Sequence, residues 1–286
     1  MQGFSPACSR RDRPKGLHYT RQCKRLPGLK ADTPYVNEMA SNESEPRTRW
    51  GTRAADLYTE AYAERYRAQD ESPGKGAAVE RLGAWLHAVC ERFPGPVDAL
   101  DLGCGTGRYF NAVGSVRRLV GIDASRPMLD RARRPAGEVT MAPGWLTLVE
   151  ADFLQYEFQS GEFDLVYSIG VLAEHSPFDE MIATRVKRWL KPGGRFAFTT
   201  VHPLSFSVPR TFKRRAGEWL LPLASVASVA LRRALRARVM SEGLYADEER
   251  VRDVLSAVDL AVESIEPFES DVHLHVLAVA RKKAAS

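Results

Sequence analysis

The stretch VDALDLGCGTGRYF, from Val97 to Phe110, places three glycines at alternate positions directly after an apolar run that contains an acid. The apolar residues predict a buried strand, and Asp101 lies near its end. Glycine accepts the positive backbone angles of a tight strand-to-helix turn and leaves no side chain in the way of a bound molecule. The stretch therefore predicts a ligand-binding turn at the end of a strand, followed by a short helix, GRYFNAVG.

Composition and charge are those of an ordinary globular protein. The chain has 286 residues, of which 44% are hydrophobic and 27% charged, and it contains no apolar run long enough to span a membrane. The net charge of +5 resides in residues 1–38, where eight basic residues accompany three acidic ones, and the remainder is balanced. We expect residues 1–50 to be a disordered basic extension and linker, and residues 51–286 to form the domain.

The extension is open to three interpretations: a nucleic-acid-binding arm, an organellar targeting peptide, or a dispensable segment before an initiator at Met39. We favour the third interpretation. The four cysteines show no CxxC spacing, which favours free thiols in a cytoplasmic location and predicts no metal site.

From Val97 onward, short apolar segments alternate with amphipathic ones. Strands are predicted at VDALDL, RRLVGID, WLTLVEAD, FDLVYSIG and RFAFTTV, with helices between them, which is typical of an α/β fold with a parallel sheet covered on both faces. The last two strands, LAVESIEPF and HLHVLAVARK, are separated by a connection that permits a hairpin but not a parallel crossover. Ahead of the sheet, one helix is predicted to carry Tyr58, Tyr62 and Tyr66, and a second helix follows Gly74.

The glycine turn fits two ligand classes, dinucleotides and S-adenosylmethionine. A dinucleotide fingerprint, G-x-G-x-x-G, counted from Gly103 would need its third glycine at position 108, which is Arg108; here it is Gly107. The spacing therefore favours S-adenosylmethionine and disfavours a nicotinamide dehydrogenase.

Two further acids end the next two predicted strands. Asp123 ends LVGID and can accept hydrogen bonds from both hydroxyls of a ribose; its alternative is to cap the following helix, a role open equally to Ser125. Asp152 and Phe153 follow the third strand, where the acid can accept from an adenine amino group while the ring packs on the base. The alternative for Asp152 is an ordinary turn residue.

Five motifs carry a resemblance to a known family. LDLGCGTGRY, GIDASRPML, EADF, FDLVYSIGVLAEH and LKPGGRFAF resemble, in order and spacing, the class I S-adenosylmethionine-dependent methyltransferases, and in particular the group that acts on small molecules. The resemblance covers about residues 53–201 and, in outline, the final hairpin. It implies a Rossmann-like doubly wound seven-stranded sheet of order 3-2-1-4-5-7-6, with the last strand antiparallel and a helical insertion before the sixth strand.

The resemblance also implies a site for S-adenosylmethionine. By the family pattern the glycine turn with Asp101 holds the methionine part, Asp123 the ribose, Asp152 with Phe153 the adenine, and Ser168 lies beside the sulfonium. The helix of three tyrosines resembles the lid of the family. The candidate cofactor-binding residues are Asp101, Gly103, Cys104, Gly105, Gly107, Asp123, Ala124, Asp152, Phe153, Ser168 and Tyr66.

The methyl acceptor should lie near the segments after the fourth and fifth strands, because the crevice of such a sheet opens where the strand order reverses. Three residues there are candidates for a base or an acceptor contact: Glu174, His175 and His202. Each histidine has a structural alternative, since His175 would also serve packing and His202 would also serve as a cap next to Pro203.

Residues 203–246 fit no strand–helix unit and are predicted to form an insertion or lid on the substrate side. The aromatic and basic residues of this insertion suit an apolar or acidic acceptor. Its amphipathic basic stretch, 225–240, would either touch a membrane surface or pack on the domain with a solvated basic face.

The sequence therefore predicts an enzyme that transfers a methyl group from S-adenosylmethionine to an oxygen, nitrogen or carbon of a small apolar or mixed acceptor. A nucleic-acid methyltransferase is the first alternative, disfavoured by the neutral body of the chain and by SIGV after the fourth strand, where an Asn-Pro-Pro-Tyr-like element would be expected. A non-catalytic regulatory domain that binds S-adenosylmethionine is the second alternative.

Overall fold

A computed structural model describes residues 47–71, 76–135, 146–205, 244–270 and 273–283. The predicted N-terminal extension, apart from its last few residues, and positions 206–243 of the predicted insertion lie outside the described residues. The same is true of the amphipathic stretch 225–240. The proposed division at residues 50 and 51 stays a prediction, although the first described helix already begins at Arg49.

A seven-stranded sheet of order β3-β2-β1-β4-β5-β7-β6 forms the centre of the fold, as the sequence predicts. Its strands are β1 (Val97–Leu102), β2 (Val116–Asp123), β3 (Leu146–Glu150), β4 (Phe163–Ser168), β5 (Leu190–Val201), β6 (Ala261–Glu269) and β7 (Leu274–Arg281). The first five pair in parallel, whereas β7 pairs antiparallel with both β5 and β6. The predicted hairpin and its antiparallel strand are therefore confirmed.

Helices cover both faces of this sheet. They are α1 (Arg49–Leu57), α2 (Glu60–Glu71), α3 (Ala77–Cys90), α4 (Arg126–Ala132), α5 (Glu180–Trp189) and α6 (Glu248–Ala257). Alternate residues of a strand point to opposite faces, so Leu100 packs in a cluster with residues of α5 and α6, while its neighbour Ala99 packs with residues of α3 and α4. Two buried layers, one on each side of the sheet, follow from this alternation.

Polar side chains define where four of the helices begin. Thr48, Ser125, Asp179 and Asp247 each accept a hydrogen bond from the backbone N–H of a residue three positions later. Such caps satisfy N–H groups that have no partner within the helix. Ser125, rather than Asp123, caps α4, which leaves the Asp123 carboxylate available for other contacts.

The predicted helix with three tyrosines is wrong as a single helix, because the chain breaks at Tyr58. Tyr58 has φ −89° and ψ 63° and ends α1. Its carbonyl accepts a hydrogen bond of 2.7 Å from the Ser125 hydroxyl, so a tertiary contact fixes the break between α1 and α2.

The predicted short helix GRYFNAVG is also different in the structure, where a turn leads into a single 3-10 segment, Phe110–Ala112. Gly107 has φ +75°, outside helical space, and a Cβ at Gly107 would lie 2.6 Å from the Phe110 ring. Close packing of this ring against the turn replaces the expected helical geometry.

None of the described helices has the length and the apolar character needed to cross a membrane.

Candidate functional site

A cavity of about 490 Å³ lies at the carboxyl edge of the parallel strands. Segments that follow β1, β2, β3 and β4 form its floor, the described helices α1, α2 and α3 contribute side chains to its walls, and residues of the β6–β7 hairpin complete it. The volume and the partly aromatic lining are typical of small-molecule sites. The topology alone predicts this position, because β1 and β4 flank the point where the strand order reverses.

The glycine turn after β1 adopts the left-handed backbone that its composition predicts. Gly103, Gly105 and Gly107 have φ values of +71°, +54° and +75°. A Cβ at Gly103 would lie 2.7 Å from the Val171 side chain, so the turn also packs closely on the segment after β4. Gly103 and Gly105 line the cavity, whereas Gly107 is not among its lining residues and instead accommodates Phe110.

Asp101 places a buried carboxyl group at the base of the cavity. The residue is 4% exposed. The pKa of Asp101 is raised to about 8, mainly by burial; a hydrogen bond from Tyr167 lowers it and the nearby Asp123 carboxylate raises it. The carboxyl group is thus mostly protonated at neutral pH and can donate a hydrogen bond as well as accept one.

Asp123, the last residue of β2, joins the glycine turn to the start of α4. Its Oδ2 accepts a hydrogen bond of 2.9 Å from the Gly105 N–H, and its Oδ1 accepts one of 2.8 Å from the Ser125 N–H. A carboxylate offers about four lone-pair positions, so further capacity remains for hydroxyl donors in the cavity.

Asp152, two residues after β3, is bound by the N-terminus of α1. Its Oδ2 accepts hydrogen bonds from the Thr48 N–H at 2.9 Å and from the Thr48 hydroxyl at 2.5 Å, and its Oδ1 accepts one from the Leu154 N–H. Gly51 is needed at this contact, because a Cβ there would lie 2.4 Å from Asp152 Oδ2. Thr48 and Gly51 are therefore functional-site residues that the sequence analysis missed.

A buried ionic cluster holds α2 over the glycine turn. Asp70 accepts hydrogen bonds from the Thr106 hydroxyl at 2.8 Å and from Arg108 Nε at 2.5 Å, while Arg67 donates to the Thr106 carbonyl at 2.9 Å. The Arg108 guanidinium also lies 3.9 Å from the centre of the Tyr66 ring. These contacts place Tyr66 and Arg108 on the cavity wall.

Where the segment after β4 lines the cavity, Tyr58, Glu174 and His175 come together. The Tyr58 and His175 rings meet edge to face with centroids 5.6 Å apart, and His175 Nε2 lies 3.6 Å from Glu174 Oε1. Burial raises the pKa of Glu174 to about 7. Burial, followed by the nearby Arg53 and His273, lowers the pKa of His175 to about 4.

Two histidines of the final hairpin also line the cavity, His273 and His275. Their ring centroids are 5.2 Å apart. Burial and the neighbouring His273 lower the pKa of His275 to about 4, against a raising contribution from the Thr200 backbone. The sequence analysis missed both residues, although the antiparallel direction of β7 signals that its first residues lie at the carboxyl edge of the parallel strands.

Most of the sequence-predicted site residues line this one cavity, and three do not. The lining includes Asp101, Gly103, Cys104, Gly105, Asp123, Ala124, Asp152, Phe153, Tyr66, Glu174 and His175. Ser168 is fully buried and donates a hydrogen bond to the Leu102 carbonyl, and Gly107 packs on Phe110. His202 accepts a hydrogen bond of 3.0 Å at Nδ1 from the Leu204 N–H and lies 3.7 Å from Glu248, outside the described lining.

Comparison with known families agrees with this fold. Residues 100–198, which run from β1 through most of β5, match the methyltransferase domain family. Over these residues and in its fold, the chain is similar to the class I S-adenosylmethionine-dependent methyltransferases. A malonyl-(acyl-carrier protein) O-methyltransferase of Legionella pneumophila is 32% identical over 127 residues, which cover 43% of each chain. The chain spans less than half the length of the curated relatives that it matches first.

Solved structures agree with the fold at low sequence identity. The magnesium protoporphyrin IX methyltransferase of Synechocystis, whose structure contains bound S-adenosylmethionine, has a TM-score of 0.55 at 16% identity, over 84% of this chain and 100% of that one. The (4+2)-cyclase SpnF has a TM-score of 0.57 at 15% identity, over 84% of this chain and 98% of that one. Because proteins named for different reactions share this fold, the reaction must be argued from the site.

Proposed function

We propose that the chain binds S-adenosylmethionine in this cavity and transfers the methyl group to a nucleophile of a small-molecule acceptor. The observation that carries the proposal is the position of Asp123. Its carboxylate lies on the cavity wall, bonded to the glycine turn through Gly105, and keeps acceptor capacity for a hydroxyl donor. The third glycine of the turn is Gly107, and position 108, where a dinucleotide fingerprint would need it, is Arg108. This spacing supports S-adenosylmethionine over a dinucleotide.

Different groups of lining residues are assigned to the adenine, the ribose and the methionine part of the cofactor. Asp152 and Phe153 would hold the adenine, Asp123 and Ala124 the ribose, and the turn around Gly103 and Gly105 with Asp101 the methionine part. Arg108 is the one cation among the described lining residues, and Asp70 fixes its guanidinium at this end. A guanidinium in that position suits the carboxylate of the methionine part.

The bound cofactor would supply a methyl group already activated by a positive sulfur. The protein is then needed to position the acceptor and to exclude water. Tyr58, Tyr62 and Tyr66 support both roles, because their rings line one wall, with centroids of successive rings 4.9 Å and 6.0 Å apart. Glu174 and His175 remain candidates for contact with the acceptor. His202 remains one only if residues 206–243 extend the site towards it.

The oxygen, nitrogen or carbon identity of the methylated atom is not fixed by the fold. Two of the similar proteins are named for acceptors as different as a malonyl group on a carrier protein and a porphyrin. We propose an apolar or mixed small molecule, because aromatic and aliphatic side chains make up most of the described lining. A cytoplasmic location is part of the proposal, and rests on the spacing of the cysteines.

Calorimetry with S-adenosylhomocysteine tests the cofactor assignment. We expect saturable binding at one site per chain, and no heat from NAD at the same concentration. Binding of NAD and not of S-adenosylhomocysteine would overturn the assignment. A second result would favour the alternative of a non-catalytic domain that binds S-adenosylmethionine. In that result S-adenosylhomocysteine binds, but methyl-labelled S-adenosylmethionine transfers no label to a panel of apolar alcohols, phenols and amines.

A further inference from the structure

His275 carries a buried nitrogen atom without a hydrogen-bond partner. The residue is 7% exposed, and its Nδ1 has no partner among the described residues. A buried polar atom without a partner costs about 1–3 kcal/mol, so natural structures rarely keep one without a reason. Other described residues also carry a buried polar atom without a partner. Among those residues, His275 alone lines the cavity.

The backbone fixes the place of this ring. His275 is the second residue of β7 and pairs with Val201, the last residue of β5, and with Phe268 of β6. It therefore lies on the strand between β5 and β6, near the carboxyl end of β5. The Phe268 ring, with its centroid 6.1 Å away, supports the imidazole from the side of the hairpin.

We propose that His275 Nδ1 is the hydrogen-bond acceptor for the nucleophile of the methyl acceptor, and that this nucleophile is the neutral hydroxyl group of an otherwise apolar molecule. The proposal rests on the proposed function, because it assumes that this end of the cavity holds the acceptor. It places the ring proton on Nε2 and leaves the Nδ1 lone pair for the hydroxyl. His275 is then a specificity-determining residue of the site.

The surroundings of His275 favour a neutral acceptor over an anion. The pKa values of His175, His273 and His275 are all lowered by burial, so these three rings are neutral at pH 7. Among the described lining residues the one cation, Arg108, is ion-paired with Asp70 at the glycine turn. Arg53 is near enough to lower the pKa of His175, but it does not line the cavity. A carboxylate would need a cation in contact with it to replace its hydration, whereas a hydroxyl needs a single acceptor.

The three histidines are not a metal site in the structure. No group of three or more His, Cys, Asp or Glu side chains in the described ranges is arranged to hold a metal ion. A ring nitrogen of a neutral histidine that carries no proton can accept a hydrogen bond from a proton-bearing group. Sites that hydrogen-bond a ligand hydroxyl discriminate strongly against analogues that lack it, because the buried partner is then left unpaired.

Three naphthalene probes of similar shape test the proposal by binding alone. They are 2-naphthol, which donates a hydrogen bond, 2-methoxynaphthalene, which does not, and 2-naphthoate, which is an anion. With the protein saturated with S-adenosylhomocysteine, we expect 2-naphthol to bind at least about tenfold more tightly than the other two, equivalent to about 1.4 kcal/mol. In His275→Phe, which keeps a ring of similar size, the preference over 2-methoxynaphthalene should vanish.

A matched variant and a spectroscopic measurement complete the test. His87→Phe changes a histidine outside the described lining of the cavity and should keep the preference for 2-naphthol. Nitrogen-15 spectra of the wild-type imidazoles should show His275 protonated at Nε2, with an Nδ1 resonance that moves when 2-naphthol is added. This measurement needs no variant and so does not depend on the folding of His275→Phe.

Several results would overturn the proposal: a proton on Nδ1, an unchanged preference in His275→Phe, tighter binding of 2-naphthoate, or no binding of 2-naphthol. If the proposed function is wrong, S-adenosylhomocysteine does not bind. That outcome is distinct from a failure of the His275 proposal, because the probe titrations and the imidazole spectra can still be recorded on the protein alone.

Discussion

The Thr48 hydroxyl donates a hydrogen bond of 2.5 Å to Oδ2 of Asp152, a residue 104 positions away in the chain. Thr48 is also the capping residue of α1, and its Oγ1 accepts from the Gly51 N–H at 3.2 Å. The acid that the sequence assigns to adenine binding thus already anchors the helix that covers the same end of the cavity. On the proposed assignment of Asp152 to the adenine, cofactor binding and the docking of α1 would share one carboxylate.

Replacement of Thr48 by Val should loosen α1, because it removes both the helix cap and the hydroxyl that donates to Asp152. The variant loses a helix cap worth about 1 kcal/mol, so the exchange of the Gly51 amide proton should accelerate about fivefold. Hydrogen exchange measured by mass spectrometry or NMR reports this directly. Thr48→Ser keeps the hydroxyl and should retain the wild-type rate, and equal rates in all three proteins would show that the cap contributes nothing.

Gly51→Ala should weaken the same contact, although alanine favours helices over glycine by about 1 kcal/mol. The added Cβ would lie 2.4 Å from Asp152 Oδ2, so either the carboxylate or α1 must move. We expect a lower midpoint of thermal unfolding and weaker binding of S-adenosylhomocysteine. Gly95→Ala is the control, because a Cβ there meets no atom within 4 Å. A more stable Gly51→Ala protein would contradict the close approach.

The order of the strands could be predicted from the sequence because each strand is a separate local signal. Alternating apolar and amphipathic segments predict the parallel sheet, and the brief link before HLHVLAVARK predicts the hairpin. The break at Tyr58 could not be predicted, since it depends on a hydrogen bond from Ser125 that forms only in the folded chain. Local periodicity carries no information about such a partner.

The same limit explains which parts of the site were missed. Asp101, Asp123 and Asp152 end or directly follow strands, and strand ends are visible in sequence. Thr48 contacts the cavity residue Asp152 through the docking of a separate helix, and His275 lines the cavity through the register between β5 and β7. Tertiary contacts of that kind can be argued only after the direction and the register of each element are known.

Asp70 and Arg108 should show strong energetic coupling. Their side chains are 3% and 16% exposed, and Asp70 also accepts from Thr106. Asp70→Ala should lower the free energy of unfolding by about 2–3 kcal/mol, because it leaves a poorly solvated guanidinium without its anion. In a double-mutant cycle by urea denaturation with Arg108→Ala, we expect a coupling of at least about 1 kcal/mol. Additive effects would show that the pair contributes little.

Asp123→Ala should weaken the binding of S-adenosylhomocysteine by about 10–100-fold, since it removes charge-assisted hydrogen bonds to the ligand and the tether of Gly105. Calorimetry measures the loss. Asp130→Ala serves as the control, because Asp130 is an aspartate of α4 that pairs with Arg126 and Arg133 and does not line the cavity. Equal affinity of the two variants would remove Asp123 from the cofactor site.

Glu174 should make the protein less stable as the pH rises. Burial raises the pKa of Glu174 from 4.5 to about 7, so between these values the carboxyl ionises in the unfolded chain while it stays protonated in the folded one. The free energy of unfolding therefore falls across pH 4.5–7 by up to about 3 kcal/mol, and by less to the extent that water reaches the 22% of the side chain that is exposed.

Replacement of Glu174 by Gln isolates this contribution, because the amide does not titrate. The stability gained by Glu174→Gln relative to the wild type should therefore be larger at pH 8 than at pH 4.5, as measured by urea denaturation at both values. Glu64→Gln, on the exposed side of α2, is the matched control for the loss of a carboxyl group. A gain for Glu174→Gln that is equal at the two pH values would mean that the folded protein does not hold this carboxyl protonated.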